Sequence, residues 1–351
     1  MQLTANSRVA ILLQGGIKGQ HGKTGLAFLR YSSSNVVAVI DTEAVGESLV
    51  ELTKIERDLP IVNDVTAALA YQPDVLLIGI APSGGQLPPD LLAEIAIAVK
   101  AGLSIINGLH TPLNVQFPDL QPGQWIWDIR REPTGLTIGQ GKARSLSAQR
   151  ILTVGTDMAI GKMSTSLELH RAAIAQGIKA QFIATGQAGI AISGLGLPLD
   201  AVRVDFAAGA VEQIVLEQGM DQELLIIEGQ GSLLHPGSTA TLPLIRGSQP
   251  TALVLVHRAG AKHIRDLPAV VIPPLSEVIQ LYEAVASAGG TFGEVKVKAI
   301  ALNTFAMNHR EAESVIKFTA QLTGLPCDDV VRNGGATLLS AVFDQANQLK
   351  S

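Results

Sequence analysis

The sequence holds a single cysteine, Cys327, so neither an internal disulfide nor a cysteine-based metal cluster can form. Beside Pro326 this thiol reads as a small packed residue rather than a nucleophile. Aromatic residues make up only 4% of the chain, too few for a platform on which nucleic-acid bases stack. Positive charge is scarce too. The 26 Lys and Arg are outnumbered by 31 Asp and Glu, the net charge is −5, and no dense basic stripe occurs. A nucleic-acid partner is therefore not expected. Long apolar runs are also lacking: the start, MQLTANSRVAILLQGG, has no cationic leader, and VAILL is too short for a signal peptide or a membrane span. The seven histidines include no H-x-x-x-H pair, which argues against histidine-bound zinc, and no Gly-x-Ser-x-Gly elbow of a serine hydrolase is found. The expectation is a cytoplasmic protein, with no membrane partner, that acts on a small molecule and assembles as a homo-oligomer.

What is present is apolar residues, 47% of the chain, and 35 glycines, which suit tight strand-to-helix turns. At 351 residues the chain exceeds a comfortable single core, so two domains are expected. Short β-branched runs alternate with helix-like stretches. In the first half the runs are Val9–Leu13, Val36–Ile40, Val75–Ile80 and Leu103–Ile106, with helices over Lys23–Tyr31 and Pro89–Ala101. In the second half they are Ile151–Val154, Ala180–Thr185, Leu224–Glu228, Ala252–His257, Val297–Asn303 and Asp329–Val331. Helices are expected there over Lys162–Gln176, Gly209–Gln218, Ser276–Ala288, Arg310–Thr323 and Gly335–Leu349. This βαβα rhythm predicts an α/β protein with two parallel sheets, each with helices on both faces. The polar stretch Asp128–Arg150 interrupts it as a linker with room for one hairpin, which places the domains at 1–148 and 149–351.

Two stretches share one frame. In GGIKGQHGKTG and in GTDMAIGKMST a glycine stands six positions before a Gly-Lys pair: Gly16 before Gly22-Lys23, and Gly155 before Gly161-Lys162. The second follows a strand and opens a helix, the context in which backbone N–H groups and the positive helix end face an anion. Gly155, Thr156, Asp157, Gly161, Lys162, Met163, Ser164 and Thr165 are its candidate cofactor contacts, with Lys162 reaching the terminal phosphates. The helix is expected to bury Met163, Leu167 and Ile174 on one face, opposite Glu168 and Gln176. The frame departs from G-x4-G-K-[ST] by one extra residue and by Met163 where a hydroxyl would hold Mg²⁺. Ser164 or Thr165 would have to supply that oxygen, and a side chain even one residue later on a helix points about 100° away. Glu228, at the end of the strand in ELLIIEGQG, lies where the ligand crevice of an open sheet falls, so Glu228 and Gly229 join the site, with Glu228 as a tentative Mg²⁺ ligand or a turn cap. Asn303 ends another strand and would meet a purine edge or form a turn. Thr185, Gly186 and Gln187 in ATGQAGI should line the same crevice.

The first frame also follows a strand and opens a helix, and it has the hydroxyl that the second lacks. No acidic strand end matches Glu228 there, so Lys23 and Thr24 are read as secondary anion contacts or helix-start residues. Asp41 would touch a ribose hydroxyl or form a turn, and the small-residue loop at Ser83 and Gly84 would offer amides to a carboxylate. For proton transfer from an ammonium group, His235 and His110 are the candidates, with surface or capping roles as their alternatives. His170, mid-helix, reads as structural, and Asp200 or Asp205 would orient an amine or cap a helix.

GTDMAIGKM resembles the phosphate loop of dethiobiotin synthetases. That resemblance implies metal and adenine contacts at Glu228 and Asn303 and places Asp157 near metal and phosphates. Over nearly the whole chain, KTGLAFLRY, VVAVIDTEAVG, GTDMAIGKMST, ATGQAGI, VDFAAGAVE and IIEGQGSLLHP resemble the D-glutamate N-acetyltransferase-like family. The resemblance implies a Rossmann-like N-terminal domain, a P-loop C-terminal domain, and acetyl transfer from acetyl-CoA to an acidic D-amino acid. The alternatives are an ATP- and Mg²⁺-dependent ligase or kinase, and a non-catalytic nucleotide switch.

Overall fold

The computed structural model describes residues 3–4, 6–81, 87–291 and 293–343. Two compact units emerge: residues 1–131 with 187–201, and residues 132–186 with 202–351. The chain therefore divides at Arg131/Glu132, earlier than the expected residue 148, and the first unit takes back a segment from the second half.

The first unit contains β1 (Arg8–Leu12), α1 (Lys23–Tyr31), β2 (Asn35–Ile40), α2 (Leu49–Thr53), β3 (Ile61–Val62), α3 (Val65–Ala68), β4 (Val75–Ile78), α4 (Pro89–Lys100), β5 (Ser104–Asn107) and β6 (Ile126–Asp128). Its sheet runs β3-β2-β1-β4-β5-β6, parallel throughout. Val9–Leu12 and Val75–Ile78 are almost wholly buried, as a strand covered on both faces must be. Gly25 and Gly79 let α1 approach this sheet closely. The Gly25 amide donates to the Gly79 carbonyl at 2.8 Å, and a Cβ on Gly79 would lie 2.7 Å from Ile11.

The second unit opens with β7 (Gln149–Gly155), α5 (Lys162–Ala175) and β8 (Ala180–Ile183). The chain then contributes α6 (Gln187–Ser193) to the first unit. It continues in the second with α7 (Ala207–Gly219), β9 (Leu224–Ile227), α8 (Thr241–Ser248), β10 (Ala252–Arg258), β11 (His263–Ile264), β12 (Leu267–Val271), α9 (Leu275–Val285), β13 (Val297–Asn303), α10 (His309–Thr323), β14 (Cys327–Asp328), α11 (Val330–Asn333) and α12 (Ala336–Val342). The second sheet is β14-β13-β10-β7-β9-β8, again parallel, and β11 and β12 form a separate antiparallel hairpin. One face of the sheet buries Ile151, Ile226, Val254 and Ala301 against Leu169 and Leu338.

The structure corrects several expectations. The last strand is Cys327–Asp328 rather than Asp329–Val331, because the Asp329 carboxylate accepts from the amides of Val331 and Arg332 and caps α11. No hairpin occurs among residues 129–148. That stretch is held instead by buried Glu212 of α7, whose carboxylate accepts from the amides of Gln140 and Lys142. On α5, Ile174 is 52% exposed. Met163 and Leu167 are buried as expected, and the buried surface extends through Lys162, Thr165, Ser166, Leu169 and Ala173, with Ser166 tolerated because its hydroxyl meets Thr153 Oγ1 at 3.1 Å. Among the described residues no helix is long and apolar enough to cross a membrane.

Candidate functional site

In the second unit, β7 lies at the middle of the sheet and delivers the Gly155–Thr165 loop at its carboxyl end. Ile160, 2% exposed, anchors the loop in the core. Returning from that anchor to the helix requires positive φ at Ala159 (+53°) and at Gly161 (+120°). The second of these excludes a side chain by backbone conformation rather than by space. No side chain caps α5 and no acidic residue stands in its first turn, so its leading amides and positive dipole end face the loop interior. Lys162, 6% exposed, donates from Nζ to the Asp157 carbonyl at 2.6 Å. Gly229 makes room for it: a Cβ there would lie 1.7 Å from the Thr153 carbonyl and 3.1 Å from Lys162 Cδ.

Neighbouring strand ends brace this loop. Asp157, expected near a metal, accepts from the Met158 amide at 2.6 Å through Oδ1 and from the Arg265 amide at 2.8 Å through Oδ2. It therefore pins the β11–β12 hairpin to the loop. Asn303 donates from Nδ2 to the Ile160 carbonyl at 3.0 Å and accepts the Phe305 amide at 3.1 Å, so both ends of its amide hold backbone. Met163 is buried and offers no oxygen, Ser164 is half-buried, and Thr165 is 2% exposed.

On the other side of β7 the structure brings Glu228, Thr185 and Gly186 together. The Glu228 carboxylate, 4% exposed, accepts the amides of Thr185 at 3.0 Å and Gly186 at 3.3 Å, while Thr185 Oγ1 donates to the Glu228 carbonyl. His235 is half-buried, and its Nδ1 accepts the Gly237 amide at 3.0 Å, which leaves the ring proton on Nε2. Glu228 offers a carboxylate suited to a phosphate-bound cation, and among the described residues no group of three or more His, Cys, Asp or Glu could hold a metal.

Two residues of this site escape a reading of the sequence. His257, at the end of β10, meets Thr156 Oγ1 through Nδ1 at 2.9 Å, and burial pushes its imidazole down to about 4. Its one visible signal is a histidine closing the apolar strand ALVLVHR. Tyr282, fully buried, donates to the Gly155 carbonyl at 2.7 Å and accepts the Leu233 amide at 3.1 Å; burial raises its phenol. Nothing in the helix pattern of LSEVIQLYEAV marks that role. His170 is a structural tie, donating from Nε2 to the Ala180 carbonyl at 3.2 Å.

In the first unit the look-alike loop closes on itself. Asp41, fully buried, accepts the amides of Gly15 and Glu43 through Oδ1 and that of Ile17 through Oδ2, each at 3.0–3.1 Å. A protein carboxylate thus occupies amides that would otherwise face a ligand, and Asp41, fully buried, is turned to these amides rather than to the expected ribose. Lys23 is exposed at the start of α1, whereas Thr24 is buried with Gln187 Nε2 at 3.5 Å from its hydroxyl. Gln187 therefore belongs to this unit. His110, half-exposed, stands 3.9 Å from the Asp200 carboxylate, which also receives Arg130 Nε at 2.9 Å. The expected anion loop at Ser83 and Gly84 lies outside the described residues.

Residues 137–339 match the P-loop domain of a family described as a domain of unknown function, DUF1611, and residues 42–132 match its Rossmann-like N-terminal domain. A D-glutamate N-acetyltransferase of Pseudoalteromonas sp is 38% identical over 264 residues, 74% of this chain and 78% of that protein. Another of that name, from Tritonibacter scottomollicae, is 36% identical over 273 residues, 76% of this chain and 80% of its own. The crystal structure of a DUF1611 family protein from Anabaena variabilis superposes with a TM-score of 0.92 at 60% identity, covering 96% of this chain and 99% of that one.

Proposed function

The chain belongs to the DUF1611 family, and from that premise we propose that it is an N-acetyltransferase that moves the acetyl group of acetyl-CoA onto the amine of an acidic D-amino acid such as D-glutamate. The observation that carries this reading is the loop Gly155–Thr165 of this chain, with an uncapped helix end and a buried lysine, and the support beside it is that relatives at 36–38% identity are named for that reaction. Acetyl-CoA is preferred over Mg²⁺-ATP because the usual metal donors are short: Met163 replaces the hydroxyl, and both Asp157 oxygens hold backbone.

In the reaction a C–N amide bond forms and the thioester C–S bond breaks, while the ammonium nitrogen loses two protons, one to solvent before attack and one to the departing sulfur, which leaves as the thiol. Lys162 and the first-turn amides of α5 bind phosphate oxygens and fix the position of the thioester. The Glu228 carboxylate, oriented by two backbone amides, attracts the acceptor's ammonium group. His235 has its proton on Nε2, so it donates to the thioester oxygen or the leaving sulfur rather than acting as the first base.

Purified protein with D-glutamate should release thiol from acetyl-CoA without consuming ATP. Lys162→Ala should lower kcat/KM by about 10²-fold or more while the fold is retained. ATP consumption with no thiol release would instead favour the ligase or kinase reading.

A further inference from the structure

A cleft of about 460 Å³ opens at the carboxyl end of β10, between the β11–β12 hairpin and the start of α9. Its volume falls within the roughly 300–1,000 Å³ of a small-molecule site. Two successive residues of the phosphate loop hold its walls. Thr156 Oγ1 meets His257 Nδ1 at 2.9 Å, and Asp157 Oδ2 accepts the Arg265 amide of the hairpin at 2.8 Å. The Ile272 amide closes the hairpin on the Lys262 carbonyl at 2.9 Å, and Ile264 is buried beneath it. The cleft is therefore a fixed neighbour of the phosphate loop.

Its lining offers donors and no acid. His257, Lys262 and His263 line it together with the apolar Val271, Ile272 and Leu275, and no acidic side chain does. Pro274 and Leu275, the cap and first residue of α9, also border it, and no side chain caps that helix, so its positive end is open to the cleft. Glu277, the acidic residue of the first turn, is exposed and stands outside the lining. His257 is what makes a site of this open end. It is 8% exposed, its Nδ1 is taken by Thr156, and among the described residues its Nε2 has no partner. Burial keeps the imidazole neutral. A neutral ring whose Nδ1 accepts the Thr156 hydroxyl carries its proton on Nε2, which leaves a buried donor to be satisfied at the cleft.

We propose that this cleft holds the acidic amino-acid acceptor, with its α-carboxylate on His257 Nε2 beside the phosphate loop and its side-chain carboxylate on Lys262 and His263 of the hairpin. The proposal rests on the reading of the chain as an acetyltransferase for such an acceptor. The open end of α9 adds its positive field to both carboxylates, and the methylene groups between them lie against Val271, Ile272 and Leu275. With no acidic side chain in the lining, the ammonium group is not held inside. It faces the loop, where the thioester is delivered.

Calorimetric titration of the full chain, with CoA present, compares D-glutamate with D-norvaline, which has a methyl group in place of the side-chain carboxylate; CoA is titrated separately. The wild type should prefer D-glutamate by about 10-fold or more, the scale of a hydrogen bond to a charged group. Lys262→Ala should erase most of that preference without moving D-norvaline or CoA, and Lys262→Arg should keep it. Val271→Trp, at a position 63% exposed, should fill the cleft and abolish binding of both amino acids while CoA binds as before. Unchanged D-glutamate affinity in Lys262→Ala and Val271→Trp overturns the proposal. So does equal weakening of D-glutamate, D-norvaline and CoA, or a wild type that binds no D-glutamate. Thiol release from acetyl-CoA separates the two readings. Release with an unchanged KM for D-glutamate in both variants leaves the acetyltransferase and removes the cleft. The expected D-glutamate binding without any release keeps the cleft as an acidic amino-acid site and removes acetyl transfer.

Discussion

At the residue scale, the side chains nearest the phosphate loop act mainly on backbone. Asp157, Asn303, Thr156 and Tyr282 each hold a main-chain group or a neighbour of the loop, and this sets what their substitution should do. Asp157→Asn keeps the shape but replaces one acceptor oxygen with a donor, leaving a partly buried amide of Met158 or Arg265 unmatched. A loss of about 1–3 kcal/mol in urea unfolding is expected, together with faster hydrogen exchange at Arg265. His257 gives a pH signature. Its folded pKa is held down to about 4 by burial against an ordinary 6.5, so the unfolded chain takes up the proton first as pH falls. Stability from this group is intact above about pH 6.5 and declines toward pH 4, at up to on the order of 1 kcal/mol per pH unit. His257→Gln should flatten that decline in melting-temperature scans. His170, which burial also lowers, keeps its share in both proteins.

At the scale of elements, strands and helices with strong periodicity were legible, and elements held by side-chain partners were not. β1, β7, β10 and β13 read directly as β-branched runs, and α1, α4 and α10 as helices, because burial on both faces or on one stripe writes itself into composition. The two-residue strands β3 and β14 carry no such pattern, and the β11–β12 hairpin is fixed by Asp157 from elsewhere in the chain. The candidate site was legible in its loop and in Glu228, Thr185 and Gly186, since strand ends of a parallel sheet mark the crevice. The sequence does not reveal that Asp41 closes the first glycine frame from within: whether amides meet a ligand or a carboxylate depends on contacts remote in the chain. Glycines divide along the same line. Gly229→Ala would drive a Cβ into the Thr153 carbonyl and should cost several kcal/mol by parting β9 from β7. Gly177→Ala, at φ +76° in open space, should cost only about 1 kcal/mol. Urea midpoints of the two variants check the contrast.

At the scale of the whole molecule, the two units are not two beads on a string. The first is completed by Gln187–Ala201, which includes α6 packed on α1, after the second has already contributed β7, α5 and β8. A fragment of residues 1–131 lacks that helix and should melt at lower temperature, with weaker near-ultraviolet circular dichroism, than the same fragment with residues 187–201 joined to it by a flexible linker. Equal melting of the two would deny α6 a part in the first unit's stability. The same interleaving has a consequence in time. On the ribosome the first unit cannot close until residue 201 has emerged, about 70 residues after 131 (201 − 131). At about 5–20 residues per second that is a wait of roughly 4–14 seconds. Through that interval α1 stays uncovered by α6 while the phosphate-loop strand and its helix leave the tunnel. Synthesis therefore leaves the earlier-made unit the later one to finish, and a nascent chain stalled in that window exposes the apolar face of α1 to chaperones.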